Sequence, residues 1–281
     1  MFVSPDAEEI QYLLTTLKLD EHTLASALDP DELSRLEFEP EHIALILKSP
    51  ISYTPADPYL FRVTSVGVFL FENRLIIVSR ENIIPAEELR YLKAPSLKYL
   101  MLKLITRAIA RFLEHLKIIS TISDDLQSKI NTAMENRYLL NLFSLQKSLV
   151  YYLNSINSNE TLTRRLAHYD DKIGFSLSEK ELLDDIRIEN GQCYQQAEIY
   201  SNIAASLMDA RASIVSNNLN QLMKTLNIIT IGIMVPTFVV SAFSMNVRIP
   251  LSNNPNAYWV ILGLAGISVA GLYLLLRHKK W

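Results

Sequence analysis

Cysteine is almost absent from this sequence, which has one, Cys193, in 281 residues. A single cysteine excludes a disulfide bond within the chain and suits a reducing compartment. The first residues also lack the basic and then apolar pattern of a secretory signal peptide. We therefore expect most of the chain to lie in the cytosol.

Other absences disfavour whole classes of function. The net charge is −3 and no run of Lys and Arg occurs before the final residues, which argues against nucleic acid because its phosphate backbone requires a basic face. No glycine-rich phosphate loop follows a predicted strand, so nucleotide binding has no support. No motif assembles a catalytic set of Ser, His, Asp or Cys side chains, so we expect neither an enzyme nor a cofactor. The histidines have no metal-ligand spacing and predict no zinc site: His22, His42, His115, His168 and His278.

Charge is also absent from a long stretch that begins at Leu226 and ends at Met245. As a helix of about 20 residues it would span the roughly 30 Å of a bilayer's hydrocarbon core. Its polar residues recur every three to seven positions, which places most of them near one side of a helix. That side is adapted to something other than lipid. The polar residues are Asn227, Thr230, Thr237, Ser241 and Ser244.

A second uncharged stretch extends from Ala257 to Leu276 and is followed by the basic tail 277–281. The positive-inside tendency places this tail in the cytosol, and with two spans the N-terminus lies there too. Arg248, in the short loop between the spans, is a positive charge that weakly favours the opposite orientation. Small residues at close-packing spacing in the second span would let helices approach one another: Gly263, Gly266, Ala270 and Gly271.

The first 95 residues predict a small sheet flanked by helices, an α+β cytosolic domain. Helical spacing occurs over 6–18, and Asp29-Pro30-Asp31-Glu32 has the form of a second helix start. Short runs rich in Val, Ile, Phe and Tyr predict strands over 42–47, 59–64, 66–71 and 75–79, with a hairpin turn at 72–74 between the last two.

Long helices are predicted to follow. Residues 97–119 and 124–157 suggest an antiparallel pair, with Asn157-Ser158-Asn159 ending or bending the second and a short helix over 161–168. Ser178 to Glu181 reads as a capping box that begins a helix reaching Asn246. Apolar residues recur along this helix at intervals of three, four or seven and form a seam, which indicates that the helix packs lengthwise against other helices. The seam residues are Ile186, Cys193, Ala197, Tyr200, Ala204, Leu207 and Ile214.

These patterns divide the chain into consecutive segments. The predicted bounds are 1–95 for the α/β domain, 96–176 for the antiparallel helices, 177–225 for a stalk helix, 226–246 for the first transmembrane helix, 247–256 for an outer loop, 257–276 for the second transmembrane helix and 277–281 for the cytosolic tail.

The run DARASIVSNNLNQLMKTLNIITIGIMVPTFVVSAFSMN, over 209–246, resembles the CorA family of divalent metal ion transporters, as do the short loop, second span and basic tail after it. Upstream, SPDAEEI near the start, LDPDELSRLE from Leu28 and QKSLVYYLNSINSNETL from Gln146 are similar to cytosolic motifs of the same family. The resemblance covers nearly the whole chain, and its membrane part is the more specific.

The resemblance implies a CorA-like homopentamer in the cell membrane, with a funnel of cytosolic domains and pore-lining first spans that pass hydrated Mg²⁺ down its gradient. Mg²⁺ enters as the transported ion and as a regulatory ion. Ser244, Met245 and Asn246 stand at the family's Gly-Met-Asn signature and would form the selectivity filter. Asp209, with Asp184 and Asp185, would bind regulatory metal between subunits, although a solvated helix face explains these acids as well. The pore-lining positions implied are Asn220, Met223, Leu226, Thr230, Met234, Thr237 and Ser241.

Two departures from the family pattern keep alternatives open. The signature glycine is Ser244 here and the preceding aromatic is Phe243, so the turn at the pore mouth and the width of the ring are in question. The outer loop has Arg248 and no acidic residue, which weakens the electrostatic attraction of cations. The alternatives are transport of Co²⁺, Ni²⁺ or Zn²⁺, and a non-conducting membrane-anchored metal sensor or partner subunit. A strand before SPDAEEI is expected to be missing, from a smaller sheet or a truncated start.

Overall fold

The computed structural model describes residues 1–54, 59–83, 94–132, 136–245 and 254–278. The chain divides into two compact units, Met1–Asp209 and Ala210–Trp281. The first unit contains a sheet and several helices, and the second contains both uncharged stretches.

The first unit is built on a mixed five-stranded sheet of order β1-β5-β4-β3-β2, in which only β1 and β5 pair in parallel. A strand thus precedes SPDAEEI, contrary to expectation. The strand predicted over 66–71 is β4, which begins at Val63, whereas the separate strand predicted over 59–64 is wrong because residues 59–62 lie outside any strand. The strand β2 was not predicted. The turn at 72–74 is confirmed, with Phe71 N donating to Arg74 O at 2.9 Å. The strands are β1 Phe2–Val3, β2 Arg35–Phe38, β3 Ile43–Pro50, β4 Val63–Leu70 and β5 Leu75–Ser79.

Two short helices, α1 Ala7–Thr15 and α2 Glu21–Leu28, precede β2. Asp6 begins α1 because its carboxylate accepts from Glu9 N at 2.8 Å, and Asp20 does the same for α2 through Thr23 N at 2.9 Å. The bond from Thr23 N holds the pKa of Asp20 below its usual value. The helix predicted to begin at Asp29 does not form, since Asp29 instead ends α2.

The sheet is buried on both faces. Alternate side chains of β3 enter different cores: Leu45 and Leu47 contact the long helices, whereas Ala44 and Ile46 contact α1 and α2. This explains why β3 and β4 are nearly continuous apolar runs rather than alternating ones. Gly67 permits the close approach of α2, because a Cβ there would lie 2.5 Å from the Cβ of Ala27.

The long helices are α3 Leu97–Thr132 and α4 Asn136–His168. They are longer than predicted, and the expected breaks at Asp124 and at 157–159 are wrong. Next to Asp124, Asp125 accepts from Lys129 at 2.6 Å across one turn of α3, an ion pair that suits the middle of a helix. The predicted helix over 161–168 is the end of α4.

Asn159, where the sequence suggested a helix end, joins α4 to the sheet. Its side chain is fully buried, its Oδ1 accepts from Lys48 N at 2.9 Å and from Ser34 Oγ at 2.7 Å, and its Nδ2 donates to Lys48 O at 2.9 Å. Lys48 lies on β3 beyond the residues that pair with β2. The asparagine therefore supplies the hydrogen bonds that a neighbouring strand would otherwise make.

The short helix α5 Asp170–Ile173 leads into α6 Leu177–Ala242, which has 66 residues and is about 100 Å long. The capping carboxylate belongs to Glu179, which accepts from Ser176 N at 2.7 Å and from Ser96 Oγ, so the predicted box at Ser178 lies two residues too late. The predicted seam is buried at Ile186, Cys193, Ala197 and Ala204 and partly buried at Tyr200 and Leu207, whereas Ile214 is exposed. The last helix described is α7 Ala257–His278.

We predict that Asn159→Ala lowers the free energy of unfolding of the first unit by about 2–4 kcal/mol, because Lys48 N–H and C=O lose their partners in a buried site. Thermal unfolding of the full-length protein, followed by circular dichroism, measures the effect. Asn157→Ala, an exposed asparagine two residues earlier on α4, is the matched control and should change stability by less than about 0.5 kcal/mol. Equal effects of the two substitutions would contradict the role given to Asn159.

Candidate functional site

Two helices, α6 and α7, are long and apolar enough to cross a membrane, and the uncharged stretch of each belongs to the second unit. None of the apolar window of either helix is buried within the chain, and large side chains such as Phe238 and Trp259 are 76% and 69% exposed. The core helix of a soluble protein would have an apolar side covered by other elements. These surfaces are therefore suited to lipid or to helices from other copies.

The positions expected to line a pore all lie on α6 and are all exposed. At about 100° per residue they fall within an arc of about 120° around the helix axis. The hydroxyls of Thr230, Thr237 and Ser241 and the amide of Asn220 share this arc with Met223, Leu226 and Met234. We call this arc the polar face.

Two threonines on the polar face donate to carbonyls of their own helix. Thr230 Oγ1 donates to Leu226 O at 2.8 Å, and Thr237 Oγ1 donates to Ile233 O at 2.6 Å. These bonds use the hydroxyl proton and leave each oxygen free to accept hydrogen bonds. The exposed oxygen is therefore an acceptor, which suits the outer hydrogens of a hydrated cation.

Pro236 adds a second feature beside the polar face. Proline has no backbone N–H, so the carbonyl of Gly232 lacks its usual helical donor. A groove of about 570 Å³ lies here along the helix, and its lining residues are Gly232, Ile233, Pro236, Thr237, Val240, Ser241 and Ser244. We call it the Gly232 groove. It was not predicted, although glycine and proline four residues apart were a visible signal.

At the outer end of α6 the structure describes two of the three signature residues, Ser244 and Met245. Ser244 N donates to Ser241 O at 3.1 Å, and Ser244 Oγ donates to the same carbonyl at 2.9 Å, forming a tight turn after Ala242. Positive φ values at non-glycine positions of the described residues occur only at Ser4 and Lys18. The backbone at 244 therefore does not require glycine here. Met245 is 60% exposed, and Asn246 lies outside the described residues.

The acids proposed for a regulatory metal are not brought together within one chain. Asp184 accepts from Arg187 Nη1 at 3.4 Å, and Asp185 and Asp209 are exposed on the same helix. Asp184 and Asp209 are 25 residues apart, about 37 Å along α6. Among the described residues no group of three or more His, Cys, Asp or Glu side chains is arranged to hold a metal ion.

A larger cavity, about 850 Å³, lies in the first unit, far along the chain from the polar face. It is lined in part by Glu39, Glu41 and Glu72, together with His42. Both ring nitrogens of His42 are buried without a hydrogen-bond partner, and burial lowers the pKa of this imidazole. Its ring stacks on Phe71 at 4.8 Å, so the neutral histidine acts as an aromatic packing group.

Comparison with known proteins places the chain in a family. The model of the CorA-like Mg²⁺ transporter protein family matches residues 1–278. A cobalt/magnesium transport protein CorA from Methanocaldococcus jannaschii is 24% identical over 294 residues, covering 99% of this chain and 89% of that protein. Another from Thermotoga maritima is 26% identical over 187 residues, covering 65% of this chain and 52% of that protein.

The fold agrees with this match. The complete structure of the CorA magnesium transporter from M. jannaschii superposes with a TM-score of 0.88 at 20% sequence identity, covering 99% of this chain and 89% of that one. At this identity the superposition shows a shared fold, whereas the family match extends over nearly the whole sequence. The chain therefore belongs to the CorA-like Mg²⁺ transporter family, and it is a membrane protein of divalent-cation transport rather than an enzyme.

Proposed function

We propose that this chain passes hydrated Mg²⁺ passively through a homopentameric pore lined by the polar face of α6. The observation that carries the proposal is the pair of hydroxyls at Thr230 and Thr237, whose protons are held by their own helix and whose oxygens face outward. Since one helix cannot enclose a pathway, several copies must turn this face toward a common axis.

Magnesium suits these oxygens because it gives up its water shell reluctantly. A pore lined by hydroxyl and amide oxygens can accept hydrogen bonds from the bound waters without replacing them. Asn246 would contribute a ring of amide oxygens at the outer mouth, next to Ser244 and Met245. Between the polar groups, Met223, Leu226 and Met234 form an apolar constriction that closes by excluding water.

Regulation would require residues from neighbouring copies. Because Asp184 and Asp209 are about 37 Å apart on one helix, no single metal ion can bind both acids of the same chain. We propose that Asp209, and separately Asp184 and Asp185, face acids of adjacent copies when Mg²⁺ is bound. The bound ions would hold the helices in a closed arrangement, and their loss would release it.

The proposed topology places both termini in the cytosol. Arg277 and His278 end α7, and the basic tail continues beyond them in the sequence. Positive charge close to a span favours the cytosolic side. The outer mouth, beginning at Met245, would then face away from the cytosol, so the inward membrane potential would favour uptake.

Uptake of Mg²⁺ into proteoliposomes tests the proposal. Wild-type protein should give flux that follows the Mg²⁺ gradient without an energy source. Asn246→Ala should reduce this flux by at least about tenfold, since a hydrogen bond to a charged group contributes about 1.5 kcal/mol or more and 1.4 kcal/mol corresponds to about a factor of ten. Native mass spectrometry should show the same homopentamer for both. An inert wild type beside an active positive control would refute transport, and unchanged flux in the variant would refute the filter assignment.

Competition between Mg²⁺ and Co²⁺, Ni²⁺ or Zn²⁺ in the same uptake assay identifies the preferred ion. If Mg²⁺ is preferred, a tenfold excess of Mg²⁺ should suppress their uptake, whereas equal concentrations of them should leave Mg²⁺ uptake largely intact. The opposite order of competition would show that one of these ions is the substrate.

Ser244→Gly distinguishes a working pore from a non-conducting protein. We predict that the substitution changes Mg²⁺ flux by less than about threefold, because the backbone at 244 does not adopt a conformation reserved for glycine. Ser241→Gly, on the same face one turn earlier, is the matched control for loss of a hydroxyl. A silent wild type that becomes active only with glycine at 244 would show that the altered signature ended conduction.

A further inference from the structure

We propose that Phe238 of one copy packs into the Gly232 groove of the next copy and so sets the spacing of the first spans around the pore. The inference rests on the proposed ring of α6 helices. It adds a specific contact, between a large side chain on one flank of the helix and a recess on the other flank.

The two partners lie on opposite sides of the polar face. Measured from Thr230 at about 100° per residue, Phe238 lies near +80°, whereas Val240 and Pro236 lie near −80° and −120°. If the polar face points to the axis of a closed ring, one flank of each helix faces the other flank of its neighbour. Rotation about the axis keeps residues at the same height, so Phe238 meets the segment between Pro236 and Val240.

The groove has room for a large side chain. Its volume is about 570 Å³, and a Cβ added at Gly232 would meet nothing within 4 Å. At the height of Phe238 the groove is lined by Pro236, Thr237 and Val240, so the phenyl ring of the neighbouring copy would lie against these residues.

Phe238 is the large side chain best placed to fill the recess. It is 76% exposed, and its ring finds no partner within the described part of the chain. Lipid tails are as apolar as a phenyl ring, so association of spans depends on close packing of large groups against small ones. A rigid aromatic ring against Pro236 and Val240 provides such packing.

Cysteine cross-linking tests the contact in the full-length protein. The background is Cys193→Ala; the native thiol is fully buried, and burial raises its pKa to about 12, so it is unreactive in any case. The pair Phe238→Cys with Val240→Cys should form disulfides between copies under mild oxidation in liposomes. The two positions lie on opposite flanks of one helix, so a bond within a chain is excluded, and the product should be a ladder of multimers on denaturing gels.

The matched control is Phe238→Cys with Ile231→Cys. Ile231 is also exposed and lies near +100°, on the same flank as Phe238. This pair should cross-link at least about tenfold more slowly, because a disulfide requires Cβ atoms within about 4.5 Å. Equal rates for the two pairs, or no ladder from the first pair, would overturn the contact.

A second variant tests the groove without cysteines. Val240→Trp enlarges an exposed side chain on the flank and at the height that Phe238 would meet, so it should reduce the pentamer fraction by native mass spectrometry. Adding Phe238→Ala should restore that fraction. A pentamer unaffected by Val240→Trp would overturn the contact while leaving the proposed function intact, whereas a monomeric wild type would overturn both.

Discussion

The structure of the membrane part depends on one constraint: in the hydrocarbon core of a bilayer, every polar group needs a hydrogen-bond partner in protein or in water. The backbone of α6 meets it through its own helix, and Thr230 and Thr237 meet half of it by donating to Leu226 O and Ile233 O. The remaining lone pairs of these two hydroxyls need hydrogen-bond donors from water or from another copy. An oligomer with a wet axis satisfies them, and a lone helix in lipid does not.

Periodicity made much of this architecture predictable. The two spans, the long helix that leads into the first span, the polar face and the hairpin at 72–74 all follow from local patterns of apolar and polar residues. The bounds of the long helices were less predictable because Asn157-Ser158-Asn159 has the composition of a break. Asn159 stays helical because its side chain bonds to Lys48 and Ser34, more than 110 positions earlier, and a local pattern contains no such information.

The candidate site likewise has one part that the sequence predicts and another that it does not. Spacing alone placed Thr230, Thr237 and Ser241 near one side of a helix, whereas the full set of positions from Asn220 to Ser241 was implied by the resemblance to the CorA family. The Gly232 groove depends on a three-dimensional recess between small residues and a proline, which spacing does not reveal. A metal site at Asp184, Asp185 or Asp209 depends on donors from another copy, so neither the sequence nor one folded chain contains its geometry.

Water accessibility of α6 in the membrane tests the central claim most directly. Single cysteines in a Cys193→Ala background, reconstituted in liposomes, would be treated with a charged, water-soluble thiol reagent. Cysteines on the polar face should react and block flux, whereas those at Val235 and Val239, on the opposite side of the helix, should remain unmodified. The polar-face positions are Thr230, Met234, Thr237 and Ser241. Modification confined to the opposite side, or none at any position beside a reactive control in the outer loop, would contradict a pore lined by this face.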